Sequence, residues 1–72
     1  MTKLPVLKPR EVVKILERAG FKFERQKGSH RIYIKGRLGV TVPYHNKDLK
    51  AGTLRHIIEQ SGMELKEFLE LL

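Results

Sequence analysis

The chain has 72 residues, no cysteine, and 15 Lys and Arg against eight Asp and Glu, which gives a formal net charge of +7 at pH 7. This length predicts one domain, residues 1–72, with a core of marginal size, and the lack of cysteine excludes a disulfide framework or a thiolate metal site. The three histidines do not form an H-x-x-x-H pair, so we expect no metal and no other cofactor. The N-terminus, MTKLPVLKPR, has no apolar signal region, and no apolar run approaches the roughly 20 residues that cross a bilayer, which predicts a cytoplasmic protein without a membrane partner.

The positive charge is concentrated in the middle of the chain. Residues 20–50 hold eight basic and two acidic side chains, whereas residues 51–72 hold two basic and four acidic ones. A basic middle with an acidic tail is typical of a surface that meets nucleic acid on one side. The alternative is a generic excess of lysine that serves solubility.

A helix followed by strands is predicted in the first half of the chain. Val12, Ile15, Leu16 and Ala19 share one helix face within residues 9–19, with Pro9 suited to the first turn and Gly20 to the end. From Phe21 the apolar period changes to two, and it continues after a Gly28-Ser29 break through Ile32 and Ile34. Turn residues at 36–39 then precede a third strand, Val40-Thr41-Val42, which ends at Pro43.

Two helices are predicted after a polar loop over residues 44–50. The second helix begins between Leu49 and Thr53, presents Leu54, Ile57, Ile58 and Ser61 on one face and stops at Gly62. The third, Glu64 to Leu72, repeats the spacing through Leu65, Phe68, Leu69 and Leu72. Grouped strands favour an α+β fold of order α-β-β-β-α(-α), in which helices cover one face of a three-stranded antiparallel sheet.

The second strand predicts which side chains face the helices. If Ile32 and Ile34 point inward, then Arg31, Tyr33 and Lys35 line the free face, where a phosphate backbone and an unstacked base could rest. The alternative is an ordinary solvated face.

His30 is the strongest candidate for chemistry, because an imidazole exchanges protons near neutral pH and Lys27 and Arg31 beside it are suited to hold a phosphate. Metal-free RNA cleavage needs a base for the 2′-hydroxyl proton, a frame for the phosphate and cations for the developing charge. His30, the Gly28-Ser29 backbone and the two cations could fill these roles. DNA lacks the 2′-hydroxyl, so the predicted substrate is RNA. A structural histidine beside a turn is the alternative.

Other residues have weaker patterns. Ser29 could be a nucleophile activated by His30, but no orienting carboxylate is evident nearby. His45 could approach a phosphate from the loop, although a plain surface loop is the simpler interpretation, and His56 is expected on a helix surface. Lys50 and Thr53 could place a phosphate at the start of the second helix.

The order of motifs resembles the HicA family of bacterial and archaeal toxins. The matching segments are AGF at the end of the first helix, RQKGSHRIY, VPYHNKDLKAGTLRHII and a closing SG, within residues 9–72. One departure is Ala51, where a proline commonly precedes the glycine. The resemblance implies a fold like the double-stranded-RNA-binding domain and an endoribonuclease that cleaves mRNA and arrests translation. It also implies His30 as the catalytic histidine and a HicB antitoxin as partner.

The leading hypothesis is therefore a metal-independent mRNA endonuclease with His30 as general acid/base. The predicted RNA-binding residues are Lys22, Arg25, Lys27, Gly28, Ser29, Arg31, Tyr33 and Lys35. A second hypothesis is a non-catalytic RNA-binding module that uses the same face. A third is an interaction protein whose basic face meets only an acidic protein partner.

Overall fold

The fold contains three helices and one sheet, in the predicted order. A computed structural model describes residues 4–72. Its elements are α1 (Pro9–Arg18), β1 (Lys22–Lys27), β2 (His30–Lys35), β3 (Leu38–Pro43), α2 (Ala51–Ser61) and α3 (Leu65–Glu70). The strands form one antiparallel sheet of order β1-β2-β3, which confirms the α+β class. Of the helices between residues 4 and 72, none is long and apolar enough to cross a membrane.

The helices bury the apolar stripes that their spacing predicts, with one exception. α1 begins after Lys8, whose backbone N–H donates to Glu11 Oε1 at 2.9 Å, and it buries Val12, Ile15 and Leu16. α2 ends at Gly62, whose φ of 74° is the left-handed conformation that favours glycine. α3 is shorter than predicted, because it ends at Glu70, and Leu72 is 58% exposed rather than on the apolar face.

Segments outside the predicted stripes also enter the core. Leu7 and Leu49 are both buried, and the Leu49 backbone N–H donates to the Leu7 carbonyl at 2.8 Å. The Lys8 ammonium reaches the Asn46 carbonyl at 3.3 Å and the Asp48 carboxylate at 3.6 Å. Leu7 and Lys8, the part of the chain just before α1, are therefore held against residues 44–50, a segment that we call the 44–50 loop.

The facing predicted for β2 is wrong. Two-residue turns at Gly28-Ser29 and Gly36-Arg37 set the register, so that Tyr33 pairs with Val40. Tyr33 is 2% exposed and lies on the helix side, whereas Ile34 is 38% exposed on the opposite side. An aromatic ring buries a large apolar area, and here it packs with the inward valines of β3 in preference to the two isoleucines.

β1 contains an irregularity that brings its cations to one side of the sheet. The pairing register shifts between Phe23 and Arg25, which leaves Glu24 as an extra residue opposite β2. Side chains that alternate along a regular strand would put Lys22 on one face and Arg25 and Lys27 on the other. The shift instead places all three cations on the side of the sheet away from the helices, which we call the open face. The open face consists of Lys22, Arg25, Lys27, His30, Ile32 and Ile34.

Candidate active site

His30 lies at one end of the open face. It is the first residue of β2, immediately after the Gly28-Ser29 turn, and it pairs with Lys27 on β1 and with Pro43 on β3. The residue is exposed. Across residues 4–72 no hydrogen bond engages its ring, so both ring nitrogens are available to a ligand. An imidazole with this access can take up or deliver a proton at a bound molecule.

Three cations of β1 lie on the open face together with His30. Lys27 is directly across from His30, Arg25 is across from Ile32, and Lys22 is across from Ile34. All of them are exposed. Among residues 4–72, the one ion pair that involves these cations joins Arg25 to Glu24 at 3.8 Å, and such a pair contributes little where both side chains are open to water. The cations therefore form a positive row opposite the histidine and the two isoleucines, which are alternate residues of β2.

The turn before His30 is held in place by three contacts. Gly28 adopts a φ of 60°, and a side chain added there would meet no atom within 4 Å, so the backbone is open to an approaching ligand. The Gln26 side-chain amide donates to the Gly28 carbonyl at 2.9 Å. The Tyr44 backbone N–H donates to the Ser29 carbonyl at 2.6 Å. Together with the Lys27–His30 pairing, these bonds fix the position of the histidine backbone.

Three predicted RNA-binding residues lie on the helix side instead of the open face. The Arg31 guanidinium stacks over the Tyr44 ring at 3.7 Å, and its Nε donates to Gln26 Oε1 at 3.1 Å. Tyr33 is buried, with its ring edge-on to Phe23 at 5.7 Å. Lys35 donates to the Ala19 carbonyl at 2.7 Å. The prediction that these side chains line the free face is wrong, because each belongs to the register set that includes the buried Val40 and Val42.

The other two histidines are already engaged. His45 Nδ1 accepts the Lys47 backbone N–H at 3.1 Å, and His56 Nε2 lies 3.2 Å from the Gln60 side-chain amide nitrogen. His56 is exposed on α2, as expected. In the part of the chain from residue 4 onward, no cluster of three or more His, Asp or Glu side chains has the arrangement to hold a metal ion. Among the three histidines, His30 alone combines an uncommitted ring with adjacent cations.

The comparison with protein families agrees with the resemblance noted above. Residues 9–63 match the family model described as the HicA toxin of bacterial toxin-antitoxin systems, which spans most of the chain. The chain belongs to the HicA toxin family. No curated protein matched it. Membership gives this toxin an antitoxin as its partner, and the matched range contains His30, the turn and the whole of β1.

Two supporting residues of the toxin were missed by the sequence interpretation. Gln26 joins the Gly28-Ser29 turn to Arg31, and Tyr44 covers Arg31 while its backbone holds Ser29. A two-residue turn pairs Gln26 with Arg31, so that link could have been found from the hairpin register. The Tyr44 contacts depend on how the 44–50 loop returns to the sheet, for which the sequence contains no comparable signal.

Proposed function

We propose that this HicA toxin is an endoribonuclease that cleaves mRNA and thereby arrests translation, with His30 as its general base. The observation that supports the proposal is the uncommitted His30 imidazole on an exposed sheet face, directly across from Lys27 and in line with Arg25 and Lys22. An acid/base group beside a row of cations is suited to a reaction at a phosphodiester.

The reaction begins at the ribose 2′-hydroxyl. His30 takes its proton, the 2′-oxygen bonds to the adjacent phosphorus, and the bond from phosphorus to the 5′-oxygen breaks. The leaving 5′-oxygen takes a proton from water, which reaches the exposed site, and the protonated His30 returns its proton to the hydroxide that remains. The products are a 2′,3′-cyclic phosphate and a 5′-hydroxyl end. Lys27 stabilises the charge that develops on the non-bridging oxygens, and the Gly28-Ser29 backbone limits how the phosphate can lie.

The open face is suited to bind a single RNA strand. Lys22, Arg25 and Lys27 offer phosphate contacts along β1, whereas Ile32 and Ile34 on β2 offer an apolar surface beside them. An unpaired strand presents its phosphates on one side and its bases on the other, so both kinds of surface are used. The proposed activity needs no metal ion, because the cations stabilise the developing charge. It does not cleave DNA, because DNA lacks the 2′-hydroxyl nucleophile.

The same face is the proposed docking surface of the antitoxin. Residues 20–50 carry eight basic side chains against two acidic ones. A HicB-like protein with acidic groups where the phosphates would bind covers His30 and Lys27, and the opposite charges speed the encounter.

The test compares RNA cleavage by the wild-type protein and by His30→Ala, with and without EDTA. His56→Ala is the matched control, because it removes an exposed histidine from α2 without touching the open face. We expect wild type and His56→Ala to cut RNA in EDTA, to leave 2′,3′-cyclic phosphate ends and to leave DNA of the same sequence intact. His30→Ala should bind RNA and leave it intact.

Three results would contradict the proposal. Full cleavage by His30→Ala removes the role of the histidine. Salt-sensitive binding by wild type with no cleavage after long incubation identifies a non-catalytic RNA-binding module. No binding of RNA even at low salt identifies a surface that serves only the acidic partner.

A further inference from the structure

Beyond the open face, we infer that a second RNA-binding subsite lies beside His30, in a depression between the chain before α1 and the 44–50 loop, and that it binds a phosphodiester flanking the scissile one. The depression has a volume of about 340 Å³ and is lined by Lys8, Arg10, Tyr44, His45 and Asn46. This inference rests on the proposed function, because it extends the path of the same RNA strand.

The subsite is close to the catalytic histidine. His30 pairs with Pro43, and Tyr44 and His45 follow Pro43 directly in the chain. Antiparallel partners and consecutive residues have fixed Cα spacings, so the His45 Cα is within about 13 Å of the His30 Cα. The hydrogen bond from the Tyr44 N–H to the Ser29 carbonyl closes the gap between the turn and the loop. A strand that leaves the open face at His30 is therefore within reach of this depression.

The charges of the depression fit a phosphodiester. Lys8 has a partner, since its ammonium is 3.6 Å from the Asp48 carboxylate. Arg10 is exposed at the start of α1, and no hydrogen bond or ion pair to residues 4–72 engages its guanidinium. An uncommitted guanidinium at the edge of a concave surface presents a fork of N–H donors that matches two phosphate oxygens.

His45 supplies a neutral donor to the same depression. Its Nδ1 accepts the Lys47 backbone N–H at 3.1 Å, so the ring proton is assigned to Nε2. With Nδ1 committed, the ring can donate from Nε2 to a phosphate or ribose oxygen but has no lone pair left to serve as a base. The two histidines therefore have different roles. His30 has both ring nitrogens available for proton transfer, whereas His45 can only donate a hydrogen bond to the RNA.

Tyr44 forms one wall of the depression. One face of its ring is covered by the Arg31 guanidinium at 3.7 Å, and the residue also lines the depression. The stacked pair is held by the bond from Arg31 Nε to Gln26, so the wall is fixed before RNA arrives. A fixed wall lowers the ordering cost of the strand that lies against it.

The test uses two variants that leave the loop intact. Arg10→Gln removes the free cation and keeps an exposed polar side chain. His45→Asn retains an oxygen that can accept the Lys47 N–H, but it lacks the distal donor. Lys66→Gln, which removes an exposed cation from α3, is the control for the loss of one charge anywhere on the surface.

Binding is measured by fluorescence anisotropy over a range of salt, with single-stranded RNA and with His30→Ala in every protein so that no RNA is cut. Arg10→Gln should flatten the slope of log Kd against log salt by about 0.7, the value for one phosphate contact on a single strand. His45→Asn should weaken binding about three- to tenfold at every salt concentration, because the lost donor is neutral. Lys66→Gln should change neither quantity.

Cleavage gives the second measurement, in proteins that retain His30. The ratio of kcat/KM for a long RNA to that for a dinucleotide should fall about three- to tenfold in Arg10→Gln and in His45→Asn. Equal effects of Arg10→Gln and Lys66→Gln on the salt slope, or wild-type binding and an unchanged ratio in both subsite variants, would overturn the inference. A wild-type protein that cuts no RNA overturns the proposed cleavage alone, because the binding experiment still decides the subsite.

Discussion

Lys35 provides a sharp test of which cations of the sheet stabilise the fold and which bind RNA. Its ammonium donates to the Ala19 carbonyl at 2.7 Å, at the end of α1, and lies 5.9 Å from the centre of the Phe21 ring. Lys35 is the last residue of β2 and His30 the first, so the two lie at opposite ends of a strand of six residues. We therefore expect Lys35→Met to lower stability and to leave RNA binding unchanged.

The expected loss of stability is the sum of two small contributions. A charged hydrogen bond to a helix-end carbonyl, reduced for its exposure to water, contributes about 1 kcal/mol. The contact with Phe21 is at the outer limit for a cation over a ring and adds up to about 0.5 kcal/mol. Methionine keeps most of the aliphatic stem, so packing changes little. The free energy of unfolding should fall by about 1–1.5 kcal/mol, and Tm by about 4–8 °C for each kcal/mol in a domain of this size.

The matched variant is Lys22→Met, which removes a cation of the open face that has no hydrogen bond or ion pair within residues 4–72. Urea and thermal unfolding give the stability of both variants, and anisotropy gives their salt slopes. Lys22→Met should keep wild-type stability, and its slope of log Kd against log salt should decrease by about 0.7. If Lys35→Met weakens RNA binding and Lys22→Met does not, the assignment of faces that underlies the active site is refuted.

Two other substitutions test the local structure around His30. Tyr33→Ala should lower the free energy of unfolding by about 3–5 kcal/mol, because it empties a fully enclosed site in the core. The cooperative unfolding transition seen by circular dichroism should be lost in Tyr33→Ala and retained in Tyr33→Phe. A stable Tyr33→Ala protein would contradict the burial of the ring. Gly28→Ala should lower the free energy of unfolding by about 1–2 kcal/mol through the φ of 60° alone, since no atom lies within 4 Å of the added carbon. Chemical denaturation measures this loss. A variant with wild-type stability would show that the turn relaxes freely.

The order of elements could be predicted from the sequence because each change of apolar period coincides with a glycine or proline. Val12, Ile15 and Leu16 mark α1, and Leu54 with Ile57 marks α2. The side of the sheet on which each β2 side chain lies could also be predicted from the sequence. A two-residue turn at Gly36-Arg37 pairs Tyr33 with Val40, and the valines on either side of Thr41 are the natural inward residues of β3. The four turn residues at 36–39 predict a longer turn, which does not fix this pairing.

Other parts of the site have no local signal. The extra residue at Glu24 is decided by how β1 is fixed at its two ends, by the buried Phe21 and by the Gly28-Ser29 turn, and not by the propensity of any residue in between. The depression lined by Arg10 and His45 exists because the chain before α1 is tied to a loop far away in sequence. Contacts of this kind come from tertiary packing, which alternation and spacing do not encode.

The position of β1 at the edge of the sheet has a consequence for the toxin in free solution. Its outer backbone groups form no ladder with another strand among residues 4–72, which makes it a place where a second chain could add a strand. The misfit at Glu24 and the closely spaced like charges of Lys22, Arg25 and Lys27 discourage that addition. The cations proposed to bind RNA thus also oppose self-aggregation. A variant that lacks all three of them, made to abolish toxicity, should precipitate more readily than the active protein.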